Sequence, residues 1–261
     1  MLQHLTHDVW HLVLQVATAT LVGSALLMAW RDLMNRRRLP DGSMPPGAFR
    51  SGLLRLGAGK WHRGAAGGGG KDATDTIFVL PDISGYSALV AAYEHDIEKV
   101  KGPIFGLLNA MIDSAGSSLS LSKVDGDAVL FYADASASEP DRLGRTILRM
   151  VEAFDAEKSR SIDLHRADPT FADRLRALEI KIIIHRGRAA RYEFGSGIDH
   201  FGAAVTLVYK LLKNTVADRR YVLRTSAARD DVPFPTGMIP RTRYLDAEEL
   251  GRVRADVFAL S

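Results

Sequence analysis

Residues 78–90 read FVLPDISGYSALV, a predicted strand followed at once by a predicted helix. The apolar run within residues 76–84 indicates a buried strand, because short apolar runs bounded by turn residues are typical of sheet interiors. Asp82 lies near its end, and Gly85 separates the strand from a helix predicted over residues 86–99. An acidic side chain therefore stands at the junction of a strand and a helix.

The following residues continue this alternation of strands and helices. Asp125-Gly126 is a dipeptide that favours a tight hairpin turn between two short strands. Residues 179–194 predict two strands with a turn at Arg186-Gly187. The order of elements indicates an α+β sandwich of ferredoxin-like type, with helices covering one face of a mostly antiparallel sheet. The other predicted strands are 118–124, 127–133 and 219–225, and the other predicted helices are 103–115, 140–157 and 203–215.

The composition of the 261 residues excludes several classes of protein. Cysteine is absent, which excludes disulfide scaffolds, thiolate metal sites and cysteine nucleophiles. The apolar fraction of 46% and the charged fraction of 25% are those of a globular protein. Residues 1–71 carry a net charge of +6 and the remainder carries −3. Because this remainder is acidic and lacks a basic stripe with aromatic residues, we expect no nucleic-acid partner.

Residues 9–30 contain no Asp, Glu, Lys or Arg. As a helix they would extend about 33 Å, enough to cross the hydrocarbon core of a bilayer. Trp10 and Trp30 bracket the run, and basic residues follow it from Arg31 onward. This pattern predicts a single-pass anchor in the inner or cell membrane, with the N-terminus outside and the rest of the chain cytoplasmic.

Two other interpretations of the apolar run stay open. A cleaved signal peptide would carry positive charge before the run, whereas here the charge follows it. A buried core helix would accommodate His11 and Gln15, which lower the hydropathy.

Residues 31–73 are predicted to be a basic linker rich in proline and glycine. The piece 51–61 within it could lie on anionic lipid or serve as a plain solvated tether. The chain is thus divided into an anchor (1–30), this linker and a cytoplasmic domain (74–261).

Asp82 and Asp127 are the two acidic positions that suggest chemistry. Carboxylates at the ends of two adjacent strands could hold divalent ions against a polyphosphate, because Mg²⁺ prefers oxygen ligands and phosphates. The backbone amides of Ser84, Gly85 and Tyr86 open a helix and would suit phosphate oxygens. The alternative is structural: Asp82 would cap the helix and Asp127 would be a turn residue.

Three segments in this order resemble the catalytic domain of class III nucleotidyl cyclases: FVLPDISGYSALV (78–90), KVDGDAVLFYA (123–133) and GIDHFGAAVTLVYKLLKN (197–214). The resemblance covers about residues 76–225. It is closer still to a bacterial family of cyclase-like domains without an assigned function.

This resemblance implies roles for individual residues. Asp82 in DISGYS, Asp127 after Gly126, and Ile83 would hold two Mg²⁺ or Mn²⁺ ions. Lys123 and Asp199 would recognise the base, and this Lys/Asp pair is similar to that of adenylyl enzymes. The implied substrate is therefore ATP.

Two positions depart from the family pattern. Thr206 stands where the family has an Asn that orients the ribose, and threonine has a shorter reach with one donor. Lys210 stands where the family has an Arg that stabilises the transition state. Lysine keeps the charge but loses the planar fork that spans two phosphate oxygens. Both residues would lie on one face of a helix, four positions apart.

The resemblance also implies a composite site, formed by two copies or by this chain with another cyclase-like chain. One protomer would supply the metal-binding carboxylates, and the other would supply Lys123, Asp199, Thr206 and Lys210. Two functions stay open. The first is a membrane-anchored adenylyl cyclase that makes cyclic AMP and pyrophosphate from ATP. The second is a cyclase-like domain that binds a nucleotide or a partner as a sensor or scaffold, with little catalysis.

Overall fold

A computed structural model describes residues 73–194 and 197–260. The predicted anchor (9–30) and nearly all of the predicted linker (31–73) lie outside the described residues. Within the described ranges, no helix combines the length and the apolar character needed to cross a bilayer.

The described residues form eight strands and five α-helices. The strands are β1 (Thr74–Ser84), β2 (Ser120–Asp125), β3 (Ala128–Asp134), β4 (Glu179–Phe194), β5 (Gly197–Phe201), β6 (Tyr221–Thr225), β7 (Arg241–Asp246) and β8 (Arg252–Ala259). The helices are α1 (Tyr86–Ala92), α2 (Ile97–Ala115), α3 (Pro140–Leu164), α4 (Pro169–Arg176) and α5 (Ala203–Leu212).

One sheet contains all eight strands in the order β2-β3-β1-β4-β6-β8-β7, with β5 paired to β4. The pairing of β4 with β6 is parallel, and the other pairings are antiparallel. The expected α+β fold with a mostly antiparallel sheet is confirmed. β1 lies at its centre and is buried over most of its length.

The sheet buries apolar side chains on both faces. On one face Phe78, Leu80 and Ile183 pack with the apolar side of α5. Ile77 and Val79 alternate with them along β1 and point to the opposite face. The helices α2 and α3 pack on each other and supply the buried residues of that second layer. The expectation that helices cover one face is therefore wrong, because α5 covers the other.

Residues 179–194 form one continuous strand, so the turn expected at Arg186-Gly187 is wrong. Gly187 instead pairs with Thr76 inside the ladder between β1 and β4. A Cβ atom at position 187 would lie 2.8 Å from the Cβ atom of Ala204 on α5. The glycine therefore permits a close approach of helix and strand.

The helix boundaries also differ from the prediction. The helix expected over 86–99 ends at Ala92, and α2 begins at Ile97 and runs through Pro103 instead of starting there. The helix expected over 140–157 continues to Leu164. The helix α4 and the strands β5, β7 and β8 were not predicted.

The register of the central strands places the acidic residues together. Asp82 on β1 lies opposite Ala128 on β3 and opposite Lys181 on β4. The backbone N–H of Ile83 donates to the carbonyl oxygen of Asp127 at 3.2 Å, which ties the end of β1 to the turn before β3. Asp82 and Asp127 therefore lie close together, where β1 ends and β3 begins.

Candidate functional site

The two carboxylates interact electrostatically at the end of β1. Burial, together with the nearby Asp82 carboxylate, raises the pKa of Asp127 to about 7, and Lys181 opposes both effects. Burial also raises the pKa of Asp82, again against the effect of Lys181. Two like charges in a partly dehydrated site favour protonation, and a bound cation would relieve the same repulsion.

Lys181 is a site residue that the sequence did not reveal. Its Nζ lies 3.0 Å from Oδ2 of Asp82, and it also donates to the carbonyl oxygen of Leu212 at 3.4 Å. Both contacts depend on the antiparallel register of β1 with β4 and on where α5 ends. The ammonium partly neutralises the carboxylates and places a cation beside any phosphate that binds there.

We expect the stability of the metal-free chain to fall as the pH rises from about 4 to 7. In this window folded Asp127 keeps a proton that the same carboxyl has released in the unfolded chain, where its pKa has the ordinary value of 3.8. The native state then binds more protons than the unfolded state, so the free energy of unfolding decreases with pH by up to about 1.4 kcal/mol per pH unit. Chemical denaturation at several pH values in a chelating buffer measures this slope.

Asp127→Asn is the test variant for this slope, because it keeps the shape of the side chain and removes the titration. Asp134→Asn at the other end of β3 is the matched control, since Asp134 is exposed and its pKa is lowered by Ser136. A slope that is the same in Asp127→Asn as in the unmodified chain would contradict the assignment.

The predicted phosphate-binding amides lie where β1 ends at Ser84 and α1 begins at Tyr86, with Gly85 between them. Gly85 adopts φ +94° ahead of α1, and a Cβ there would lie 2.6 Å from Nη2 of Arg219 and 3.2 Å from the carbonyl oxygen of Ala177. Glycine is therefore required by both the conformation and the space. Ser84 is half-buried. Burial raises the pKa of Tyr86 to about 12, with Asp127 adding to the shift, so its phenol stays protonated beside the carboxylates.

Lys123 and Asp199 contact each other directly. Nζ of Lys123 lies 3.3 Å from Oδ2 of Asp199, which joins β2 to β5. The pKa of Asp199 lies below its usual value. Burial acts to raise this pKa, but the backbone N–H of His200, the ammonium of Lys123 and the hydroxyl of Tyr192 outweigh burial. Asp199 is therefore ionised at neutral pH.

Thr206 and Lys210 lie on α5, as predicted from the sequence, but they make separate contacts. The hydroxyl of Thr206 donates to the carbonyl oxygen of Gly202 at 3.4 Å. Nζ of Lys210 lies 3.4 Å from Glu248 and 3.5 Å from Glu249, in the turn between β7 and β8. Both glutamates are highly exposed, so these ion pairs are weak and can be exchanged for a phosphate.

In the structure, the predicted residues of the sheet lie in two separate groups. Asp82, Asp127, Ile83 and Tyr86 surround the end of β1, and Lys123 and Asp199 meet at the contact of β2 with β5. Among the described residues, no hydrogen bond or ion pair joins one group to the other or joins Thr206 or Lys210 to either.

The acidic pair fits a divalent ion that arrives with a polyphosphate. In the described ranges no group of three or more His, Cys, Asp or Glu side chains could hold a metal ion. Mg²⁺ is commonly bound by one or two carboxylates together with water and substrate phosphates. Asp82 and Asp127 provide that number of carboxylates, and the side chain of Ile83 is buried, so its contribution would be its backbone carbonyl.

Comparison with known proteins identifies a family model and a relative, neither with an assigned activity. The model described as "Protein of unknown function (DUF2652)" matches residues 104–221. The uncharacterized protein Rv2561/Rv2562 of Mycobacterium tuberculosis (strain ATCC 25618 / H37Rv) is 28% identical over 119 residues, which is 46% of this chain and 55% of that protein. The chain thus spans about half the length of this curated relative.

Several solved structures with the same fold are nucleotidyl cyclases. The guanylyl cyclase Cya2 is 17% identical, with a TM-score of 0.58 over 72% of this chain and 93% of its own. The catalytic core of a rhodopsin-guanylyl cyclase with converted specificity, in complex with ATPalphaS, is 13% identical, with a TM-score of 0.53 over 72% of this chain and 97% of its own. A bacterial light-regulated adenylyl cyclase is 18% identical, with a TM-score of 0.53 over 72% of this chain and 52% of its own.

These likenesses confirm the fold expected from the three sequence segments. The described domain has the fold of class III adenylyl and guanylyl cyclase catalytic domains. The resemblance to a cyclase-like family of unassigned function is confirmed as well.

Proposed function

We propose that this chain is a membrane-anchored adenylyl cyclase that converts ATP to cyclic AMP and pyrophosphate. The observation that carries the proposal is the pair Asp82 and Asp127, two carboxylates with raised pKa values at one edge of a cyclase-fold sheet. A domain that served only as a scaffold would gain nothing from placing two like charges in a partly buried position. The contact of Lys123 with Asp199 supports ATP as the nucleotide.

In this reaction the ribose 3′-hydroxyl attacks the α-phosphorus, its proton is released, and the bond to pyrophosphate breaks. Asp82 and Asp127 would hold two Mg²⁺ or Mn²⁺ ions, which would supply Lewis-acid activation of the hydroxyl and charge neutralisation at the pyrophosphate. Lys181, beside Asp82, and Lys210 place positive charge where negative charge develops. Thr206 has one hydroxyl with which to bind a ribose oxygen.

The complete site would be formed by two cyclase-like chains, one contributing the acidic pair and the other contributing Lys123, Asp199, Thr206 and Lys210. Two exposed apolar side chains lie close in sequence to Lys123 and Asp199, and exposed apolar surface is typical of a face that a partner covers. Phe201 is 75% exposed two residues after Asp199, and Val124 is 38% exposed directly after Lys123.

The direct test is to incubate the purified full chain with ATP and Mn²⁺, and separately with GTP and Mn²⁺, and to quantify cyclic nucleotides. Cyclic AMP that is absent without metal supports the proposal. No product from either nucleotide, with Lys210→Arg also inactive, would refute catalysis.

A sensor or scaffold with little catalysis is the second candidate, and the contacts of α5 favour it. Glu248 and Glu249 pair with the ammonium of Lys210, and the hydroxyl of Thr206 donates to the carbonyl oxygen of Gly202 just before α5. Calorimetry separates the candidates: metal-dependent ATP binding by a chain that makes no product would support the sensor.

We expect the full chain to fractionate with membranes and a chain lacking residues 1–30 to appear in the soluble fraction. The physical reason is the uncharged apolar run 9–30, which is long enough to span a bilayer as a helix. Carbonate washing followed by immunoblotting measures the distribution. Retention of the shortened chain in washed membranes would contradict the proposed anchor.

A further inference from the structure

A polar cleft lies between the turn that follows α2 and the first half of α3. Its volume is about 460 Å³, which is within the range of small-molecule sites. Arg142, Arg145 and Arg149 of α3 line it, together with Ser117 and Ser118 of the turn. The cleft therefore combines three cationic side chains with hydroxyl groups.

This cleft lies at the opposite end of β3 from the acidic pair. Asp127 directly precedes β3, whereas α3 follows Asp134 after a short connection. The seven residue steps from Asp127 to Asp134 cover about 23 Å along an extended strand. The strand that follows the turn 116–118 pairs with this far end of β3, since Ser120 lies opposite Tyr132. The cleft is therefore separate from the candidate site at the end of β1.

The three arginines of the cleft are held by hydroxyl groups and not by carboxylates. Nη2 of Arg142 donates to the hydroxyl of Ser117, and Nη2 of Arg149 donates to the hydroxyl of Thr146 at 2.8 Å. Within residues 73–194 and 197–260, none of these two arginines or Arg145 forms an ion pair. A guanidinium has five N–H donors, so most of the donors in the cleft remain for a ligand.

An acidic side chain within reach of these arginines does not neutralise them. Glu152 lies three positions after Arg149 and also lines the cleft, yet the two form no ion pair among the described residues. On the same helix, Arg160 does pair with Glu157 over three positions. Three arginines against one glutamate give the cleft a charge of +2, in a part of the chain (72–261) whose own sum is −3. The cleft is therefore a local anion-binding surface on an acidic domain.

The spacing of the arginines indicates the kind of anion. Arg142, Arg145 and Arg149 are three and four positions apart, so they lie on one face of α3. Seven residues of helix rise about 10 Å. Since Ser117 holds Arg142 at one end of this row, an anion that meets all three side chains must extend along the helix. Linked phosphates have this length and offer each guanidinium a pair of oxygens.

We propose that the cleft between the turn 116–118 and α3 binds an anion with two or more linked phosphate groups. The same chemistry occurs in free polyphosphates and in the headgroup of a lipid that carries two phosphates. The site goes beyond the proposed cyclase reaction, because it uses neither the acidic pair nor a metal ion.

The test titrates the purified full chain with inorganic tripolyphosphate in a chelating buffer and measures the heat of binding. The chelator removes divalent ions, so anions held through metal at Asp82 and Asp127 do not contribute. We expect tripolyphosphate to bind at least about tenfold tighter than orthophosphate, because a single phosphate meets fewer of the guanidinium groups.

Arg145→Gln should weaken tripolyphosphate binding about tenfold, since hydrogen bonds between charged groups are lost. Arg145 is exposed, so the substitution leaves the core unchanged, which circular dichroism checks. Arg166→Gln, just beyond the end of α3, is the matched control: it removes the same charge from another exposed position and should bind as the unmodified chain does.

A second measurement distinguishes a free polyphosphate from a lipid headgroup. The full chain is sedimented with vesicles of phosphatidylcholine alone and with vesicles that also contain cardiolipin, whose headgroup links two phosphates. The predicted anchor would insert into both, so extra binding to cardiolipin that Arg145→Gln removes would support the site and assign it to a lipid. Tripolyphosphate binding without that extra binding would support a free polyphosphate. Binding of neither probe, equal binding of orthophosphate and tripolyphosphate, or binding that Arg145→Gln leaves unchanged would overturn the proposal, whether or not the chain makes cyclic AMP.

Discussion

Asp82→Asn is expected to reduce cyclic AMP formation by about 10³-fold, equivalent to about 4 kcal/mol of transition-state stabilisation. The asparagine retains the size of the side chain but has one neutral oxygen in place of a charged carboxylate. Asp82 is also the residue whose charge Lys181 meets at 3.0 Å, so the variant removes the acidic half of that ion pair. The measurement is the initial rate of the full chain at saturating Mn²⁺ and ATP.

Asp134→Asn is the control for this loss. Asp134 lies at the far end of β3 from Asp127, is exposed, and accepts hydrogen bonds from Ser136. It should retain the unmodified rate. Lys181 is partly exposed, so Asp82→Asn leaves no fully buried unpaired charge and the domain should remain folded, which circular dichroism checks. An Asp82→Asn chain as active as the unmodified one would refute metal binding at this pair.

The centre of the sheet was predictable from the sequence because its signals are local. The apolar run before Asp82 and the turn at Asp125-Gly126 each specify an element within a few residues. The C-terminal strands β7 and β8 carry no such signal. In β8, Arg252 and Arg254 precede Asp256, whose carboxylate is buried because Arg224 and Arg229 reach it from other parts of the chain. Because the Asp256 carboxylate is buried only through its pairing with distant arginines, the local sequence of β8 lacks the apolar pattern by which a buried strand is recognised.

The site residues also divide into those with a local sequence signal and those placed only by the tertiary structure. Asp82 and Asp127 were identified from their positions at the ends of predicted strands, and Lys123 and Asp199 were identified because short motifs of the sequence resemble a known family. Lys181 was missed because its contact with Asp82 follows from strand register, which no local pattern specifies. The hydrogen bond from the Tyr209 hydroxyl to Asp125 was missed for a related reason: the two residues are 84 positions apart, and they meet only when α5 packs against the sheet.

Lys210→Ala is expected to lower the rate of cyclic AMP formation by about 10²-fold, and Lys210→Arg is expected to raise it about tenfold. The alanine variant removes positive charge from the α5 face where the pyrophosphate is expected to leave. The arginine variant adds the planar fork that can span two phosphate oxygens. Rates at saturating ATP separate this effect from binding, because charge that stabilises the transition state changes kcat more than KM.

The second part of this test uses substitutions in the turn between β7 and β8. Glu248→Gln with Glu249→Gln removes the two carboxylates that lie 3.4 and 3.5 Å from Nζ of Lys210 and frees the ammonium for phosphate. This double variant should raise kcat in the unmodified background and leave it unchanged in Lys210→Ala, since the gain passes through the ammonium. Lys213→Ala, at the end of the same helix and exposed, should have the unmodified rate. An equal gain with and without Lys210 would show that the glutamates act on another group, and Lys210 would then have no part in stabilising the transition state.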